Sequence, residues 1–238
     1  MHSAFLSSRH YRAFSLVELI MVIAIIGIIA TFVTPAAVTI IRGSQVTQAS
    51  QILTDQISAG RQVALAKNKT IEMRFLRYGD PETPGETINN PSSGKYRAMQ
   101  TMEVTDTGVV VPLGPVVPLP SSVMISDSST FSSLMAQTPT NALGQDPLLP
   151  RNIKNHYQYQ SFRFYPDGST DLAINGPKAS AGTNHVSDSS EKSWFLSIYA
   201  ITDQAKVSSA SDFKKINFFT LQIDPISGGT VGYRPTAK

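Results

Sequence analysis

"RAFSLVELIMVIAIIGIIATFVTPAAVTII", residues 12–41, holds a single carboxylate, Glu18, near the start of an otherwise apolar run. From Leu19 to Ile41 there are 23 residues and no Asp, Glu, Lys or Arg. A helix that crosses a membrane needs about 20 apolar residues, so the run is long enough. A charge in that setting costs on the order of 2.5–3.5 kcal/mol at the bilayer centre, less near an end. A segment that only anchors or exports the chain has no use for that cost.

The flanks narrow the choice. Residues 1–13, "MHSAFLSSRHYRA", are short, polar and weakly basic, with Arg9 and Arg12 and no acid. Basic residues before an apolar segment form an export signal, and they keep that end in the cytoplasm. An ordinary secretory signal has a shorter apolar core, of about 7–15 residues, followed by a small-x-small cleavage site. A plain anchor fits the length but leaves Glu18 without a role. Cleavage before the apolar run, between Ala13 and Phe14, gives it one. The new amine then sits on Phe14, four residues from Glu18 and on the same helical face. A carboxylate in the first turn also complements the helix dipole. Glu18 could offset the amine of its own chain or that of a neighbouring subunit.

At this point the stretch "A-FSLVELIMVIAIIGIIA" resembles the class III signal of type IV pilins and type II secretion pseudopilins. The resemblance implies cleavage between Ala13 and Phe14 by a prepilin peptidase, methylation of Phe14, and an assembly role for Glu18. It also implies subunit partners, an inner-membrane assembly platform and contact with inner-membrane lipid. Pro35 matches a proline common in the family about five turns on. Ala13 stands where the family usually has Gly. By its own chemistry Pro35 is a helix kink, because it removes a backbone donor and clashes with the preceding turn. Either it merely bends an anchor, or it lets the helix bend or locally melt during packing.

Beyond the apolar run the helical pattern persists. Val46, Ala49, Ile52, Leu53, Ile57, Gly60, Val63 and Ala64 recur at three- and four-residue spacings, an apolar stripe with a polar opposite face. "KNKT" ends it with basic residues. From Phe14 to Ala66 a continuous helix would be about 80 Å long. The reading divides the chain into a leader (1–13), a transmembrane and assembly helix (14–42), an amphipathic half-helix (43–69) and a β-rich periplasmic domain (70–238).

That last part is rich in strand signals. "TIEMRFLRY" (70–78) alternates Ile71, Met73 and Phe75 against Glu72, Arg74 and Arg77, the pattern of a half-buried strand. "KYRAMQTMEV" reads as its hairpin partner. The prolines of "GVVVPLGPVVPLPSSVMI" suggest an edge strand with turns. The Ser- and Pro-rich stretch 126–152 reads as a surface excursion. "YQSFRFYPDGSTDLAI" reads as a hairpin around Pro-Asp-Gly. "WFLSIYAI" and "FFTLQIDPISGGTVGYRP" complete the sheet, with a turn near Gly228–Gly229. The expectation is α+β: a long N-terminal hydrophobic helix packed on a mainly antiparallel sheet of six to eight strands. "AGRQVALAKNKTIEMRF" and "FRFYPDGSTDL" resemble the minor pseudopilins of the GspH/FimT type. The length and inserted loops resemble the Verru/Chthon cassette proteins, particularly their D type.

Composition excludes several functions. There is no Cys, so disulfides and thiolate metal sites are excluded. The net charge is +3, and loss of Arg9 and Arg12 with the leader brings the side-chain balance to +1. That near-neutral surface argues against nucleic acid as a partner, because phosphate neutralisation dominates such affinity. His156 and His185 lie in polar stretches, and no hydrolase, zinc or P-loop motif is present. Asp167 in "YPDG" reads as a turn former. "DPISGG" (224–229) carries too few carboxylates for calcium, which takes six to eight oxygens. Trp194, Phe195, Tyr199, Phe218 and Phe219 read as core or sheet faces. The chain is therefore expected to be a non-enzymatic, cofactor-free and metal-free filament subunit, a minor component with its C-terminal domain in the periplasm. The alternatives are an adhesive or DNA-uptake module at a pilus tip, and an anchored periplasmic enzyme.

Overall fold

A computed structural model describes residues 15–135, 139–141, 156–172 and 193–234. The chain divides into two compact units, residues 1–41 and 42–238. Helix α1 (Leu16–Lys67) contributes its first part to one and its second part to the other.

In the second unit α1 buries the stripe its sequence predicts. Val46, Ala49, Leu53, Ile57 and Ala64 are buried, with Ile52 and Val63 packed beside them. Gly60 lets the helix approach the sheet: a Cβ there would lie 2.5 Å from Met73 Sδ. The helix stops at Lys67 because Asn68 turns left-handed, at φ 54°. Lys69 N then donates to Ala64 O at 3.3 Å, which satisfies one of the last free carbonyls.

Among the described residues the unit has ten strands: β1 (Thr70–Tyr78), β2 (Lys95–Val104), β3 (Val110–Pro112), β4 (Val117–Pro118), β5 (Val123–Ile125), β6 (Thr140–Asn141), β7 (Gln158–Phe164), β8 (Trp194–Ala200), β9 (Phe218–Ile223) and β10 (Thr230–Tyr233). They form one antiparallel sheet in the order β10-β9-β8-β5-β2-β1-β7-β6, with β3 and β4 also paired to β2. The class is α+β, a helix on a large antiparallel sheet. The strand count exceeds the expected six to eight because β4 and β6 are two-residue pieces and β3 and β5 three-residue pieces, too short for an alternation to register.

Ile71, Met73 and Phe75 of β1, with Phe162 and Phe164 of β7, join the helix stripe in the main core. Glu72, expected on an open face, is 2% exposed. Its carboxylate meets Arg74 Nε at 2.6 Å and Arg163 Nε at 2.9 Å. Arg74 also lies over the Tyr159 ring at 4.2 Å. Both faces of β1 are therefore covered.

The β1–β2 hairpin is present as predicted, but with a bulge. Leu76 pairs with Ala98 and Arg77 with Tyr96, so Arg97 is the extra residue. A one-residue slip moves every later side chain to the other face. It turns Tyr96 into the main core and directs Arg97 to Glu86 and Asp80. Tyr96 also makes the only residue pair between β2 and β5, with Ile125. The two halves of the sheet meet through that narrow seam.

Three expectations are corrected. β5, read as an edge because of the prolines before it, lies between β2 and β8; the prolines fall in the links and short strands preceding it. The Ser-rich stretch is not wholly a surface excursion, since Phe131 and the 3-10 turn Ser133–Met135 are buried. Ser133 Oγ accepts from Phe195 N at 2.9 Å and Ser132 Oγ from Ser197 N at 3.0 Å. These hydroxyls satisfy β8 where β5 is too short to reach. Phe131 stacks on Phe213, from the short helix α2 (Ala210–Phe213), at 4.4 Å between centroids, in a second cluster with Met124 and Tyr199. Residues 136–138 and 142–152 of that stretch are outside the described residues. Lastly, the hairpin around Pro-Asp-Gly is shorter than expected among the described residues: Tyr165 N donates to Ser169 O at 2.8 Å and Asp171 N to Arg163 O at 3.1 Å, while residues 173 and 174 lie outside the described residues. One bridge, Phe164–Thr170, forms, and the main partners of β7 are β1 and β6.

The predicted β9–β10 turn is present and tightly seated. Gly228 has φ +64°, and a Cβ on it would strike Gly168 O and approach Phe164 Cε1 to 2.9 Å. Gly108 has φ +78° with nothing within 4 Å. Gly108→Ala is expected to cost about 1–2 kcal/mol from backbone conformation alone. Gly228→Ala should cost at least about 1 kcal/mol more, because backbone must also move. Urea midpoints of the two variants measure the difference.

Candidate functional site

In the first unit the site is built from "SLVE" at the start of α1. Ser15 stands just before the helix, and Glu18 is its first-turn acid. Ser15 N and Oγ donate to Glu18 Oε2 at 2.9 and 3.0 Å. Glu18 N donates back to Ser15 Oγ at 3.2 Å. This reciprocal pattern is a capping box, which satisfies helix donors that have no intrahelical partner. The S-x-x-E spacing is visible in the sequence, but the sequence reading weighed only the amine and the dipole for Glu18. Both bonds that the carboxylate accepts from Ser15 end on Oε2. Ser15 N belongs to the Phe14–Ser15 peptide, so a cut after Ala13 leaves this box in place.

Behind the box the helix is apolar on all sides. Eleven large apolar side chains from Leu16 to Ile29 are exposed, Leu16 at 74% and Ile29 at 55%. At about 1.5–3 kcal/mol for each fully buried side chain, covering them is worth on the order of 20 kcal/mol. Such a surface calls for lipid or other helices. Among the described residues no helix is long and apolar enough to cross a membrane.

Of the other sequence candidates, Ala13 and Phe14 lie outside the described residues. Pro35 lies within α1, and side chains at 32–40 are also outside them. His156 is exposed and His185 is not described. Asp167 accepts from Ser169 N and Oγ at 2.9 and 2.6 Å, which holds its carboxyl below the usual range. Asp224 is bound by Ser227 Oγ and by Ile226 N, with the same effect. Both acids are engaged in their own turns. Among the described residues no three His, Asp or Glu side chains converge. Trp194 and Tyr199 are buried, as sheet and core residues.

Sequence reasoning missed two charged clusters, that of Glu72 with Arg74 and Arg163 described above and one around Arg97. Arg97, 4% exposed at its side chain, meets Glu86 at 2.8 Å and Asp80 at 3.0 Å. Glu86 also accepts from Asp80 N at 3.0 Å. The cluster fastens residues 79–94 to β2. No local signal marks it, because it depends on the bulge at Arg97.

Residues 8–34 match the family described as the prokaryotic N-terminal methylation motif. No curated protein and no solved structure matches the chain. The matched segment holds Ala13, Phe14 and the Ser15–Glu18 box together. A motif of this kind implies processing by a prepilin peptidase, a membrane-anchored precursor and later assembly with other pilins. That is a structural role rather than an enzymatic one. Residues 8–34 thus carry the prokaryotic N-terminal methylation motif, which is consistent with the type IV pilin and pseudopilin family.

Proposed function

We propose that this chain is a filament subunit of a type IV pilus or a type II secretion pseudopilus, present as a minor component. It enters the inner membrane with residues 1–13 in the cytoplasm and the domain 70–238 in the periplasm. A prepilin peptidase cuts between Ala13 and Phe14, and Phe14 is methylated. The assembly platform then draws the subunit from lipid into a bundle of like helices. The observation that carries this reading is the exposed apolar surface of α1 behind Glu18. Such a surface is stable first in lipid and then against other helices. In the bundle Glu18 meets a Phe14 amine, of its own chain or of a neighbour, where the low dielectric strengthens the pair. Pro35 gives the helix a point at which to bend or locally melt.

The test is mass analysis of the mature N-terminus, after expression with and without a prepilin peptidase. The expected product with the peptidase starts at Phe14 and carries one added methyl group. Without it the chain keeps Met1. A terminus located after the apolar run would identify a secretory signal and sink the proposal.

A further inference from the structure

A small cleft in the second unit is lined by Ser58, Arg61 and Gln62 of α1 and by Gly228, Gly229 and Thr230 of the last hairpin. Its volume is about 170 Å³, room for a few heavy atoms. Arg61 Nε donates to Ser227 O at 2.8 Å, which fixes the guanidinium against the hairpin. Among the described residues Nη1 and Nη2 have no ion-pair or hydrogen-bond partner, and neither do the side chains of Ser58, Gln62 and Thr230. The amides at the cleft are already engaged, Gly228 N by Asp224 O and Gly229 N by Ser227 Oγ. The cleft therefore offers one held cation and three polar side chains, and its donors come from side chains alone.

We infer that this cleft binds a single carboxylate, with Arg61 as its counter-charge. With Nε engaged, the two Nη groups present the end-on edge of the guanidinium, which matches the two oxygens of a planar carboxylate. Ser58, Gln62 and Thr230 are placed to take the remaining lone pairs. A phosphate dianion fits less well. No second cation lines the cleft, and the Asp224 carboxylate sits in the same turn. Holding the hairpin to the helix needs only the Nε bond, so that role leaves the Nη edge unused. The carboxylate could belong to a free small acid or to an acidic side chain of another protein.

The experiment uses the full chain in detergent micelles, labelled with ¹⁵N-glycine. The Gly228 and Gly229 amide shifts are followed during titration with sodium acetate, against sodium chloride at equal ionic strength. The expected result is a saturable shift with acetate only. Arg61→Gln should abolish it. Arg61→Lys, which keeps the charge but loses the fork, should weaken it about tenfold, the effect of one charge-assisted bond. A parallel titration with blocked aspartate separates the sources. Tighter binding than acetate assigns the cleft to an acidic side chain of a partner, and equal or weaker binding to a free acid. Shifts that do not saturate with either probe, or that match those with chloride, overturn the inference. So does an unchanged acetate response in Arg61→Gln. If Arg61→Gln fails to fold, an undiminished response in Arg61→Lys overturns it.

Discussion

Arg97→Met is expected to destabilise the β-rich unit by about 3–5 kcal/mol, the range for removing one partner of a buried ion pair. The side chains of Arg97 and Glu86 are 4% and 3% exposed. Without the cation, Glu86 and Asp80 would face each other as uncompensated carboxylates. Glu86→Leu should cost somewhat less, because Asp80 still partners Arg97. Among the described residues Arg97 Nε is buried without a partner, so the guanidinium depends on its Nη contacts. The double variant Arg97→Met/Glu86→Leu should recover part of the loss, since it removes the buried Glu86 carboxylate and leaves only Asp80, 28% exposed at its side chain, without its cation. Domains of this size are stable by about 5–15 kcal/mol, so the single variants should shift the urea midpoint strongly. A double-mutant cycle reads the coupling. A loss under 1 kcal/mol in Arg97→Met would show that the cluster is solvated and does not hold residues 79–94.

Glu18→Gln is expected to leave membrane insertion and cleavage intact and to reduce filament incorporation about a hundredfold or more. Losing one partner of a charge pair in a dry helix bundle costs about 3–5 kcal/mol, and each 1.4 kcal/mol is a factor of ten. Gln preserves the capping box, because S-x-x-Q caps as S-x-x-E does. Ser15→Ala makes the opposite change: it removes the box, at about 0.5–2 kcal/mol, and keeps the carboxylate. It should still be incorporated. The readout is the fraction of each variant in sheared filaments relative to membranes. Normal incorporation of Glu18→Gln together with failure of Ser15→Ala would assign Glu18 to capping its own helix and remove its proposed role between subunits.

Much of the architecture was legible because it rests on local periodicity. The helix stripe from Val46 to Ala64, the alternation of Ile71, Met73 and Phe75, and the last hairpin each repeat a short-range pattern that burial later respects. The illegible parts depend on residues far apart in sequence. Ser132 and Ser133 look like loop residues, yet their hydroxyls complete β8 more than 60 residues later. Phe131 and Phe213 pack on each other from segments far apart in the unit's sequence. The burial of Arg97 depends on the bulge in the β1–β2 pairing, which the strand pattern of "KYRAMQTMEV" does not mark.

The candidate site divides in the same way. An apolar run with one acid, the basic residues before it and the matched methylation motif are all written in consecutive residues. The sequence alone therefore determined the N-terminal methylation motif and the order of a long helix followed by antiparallel strands. Tertiary structure decided which charges are buried, where β5 enters the sheet, and that Arg61 is pinned beside Gly228 with its fork free. Those outcomes follow from strand register and from close approaches between distant segments, which no local pattern encodes.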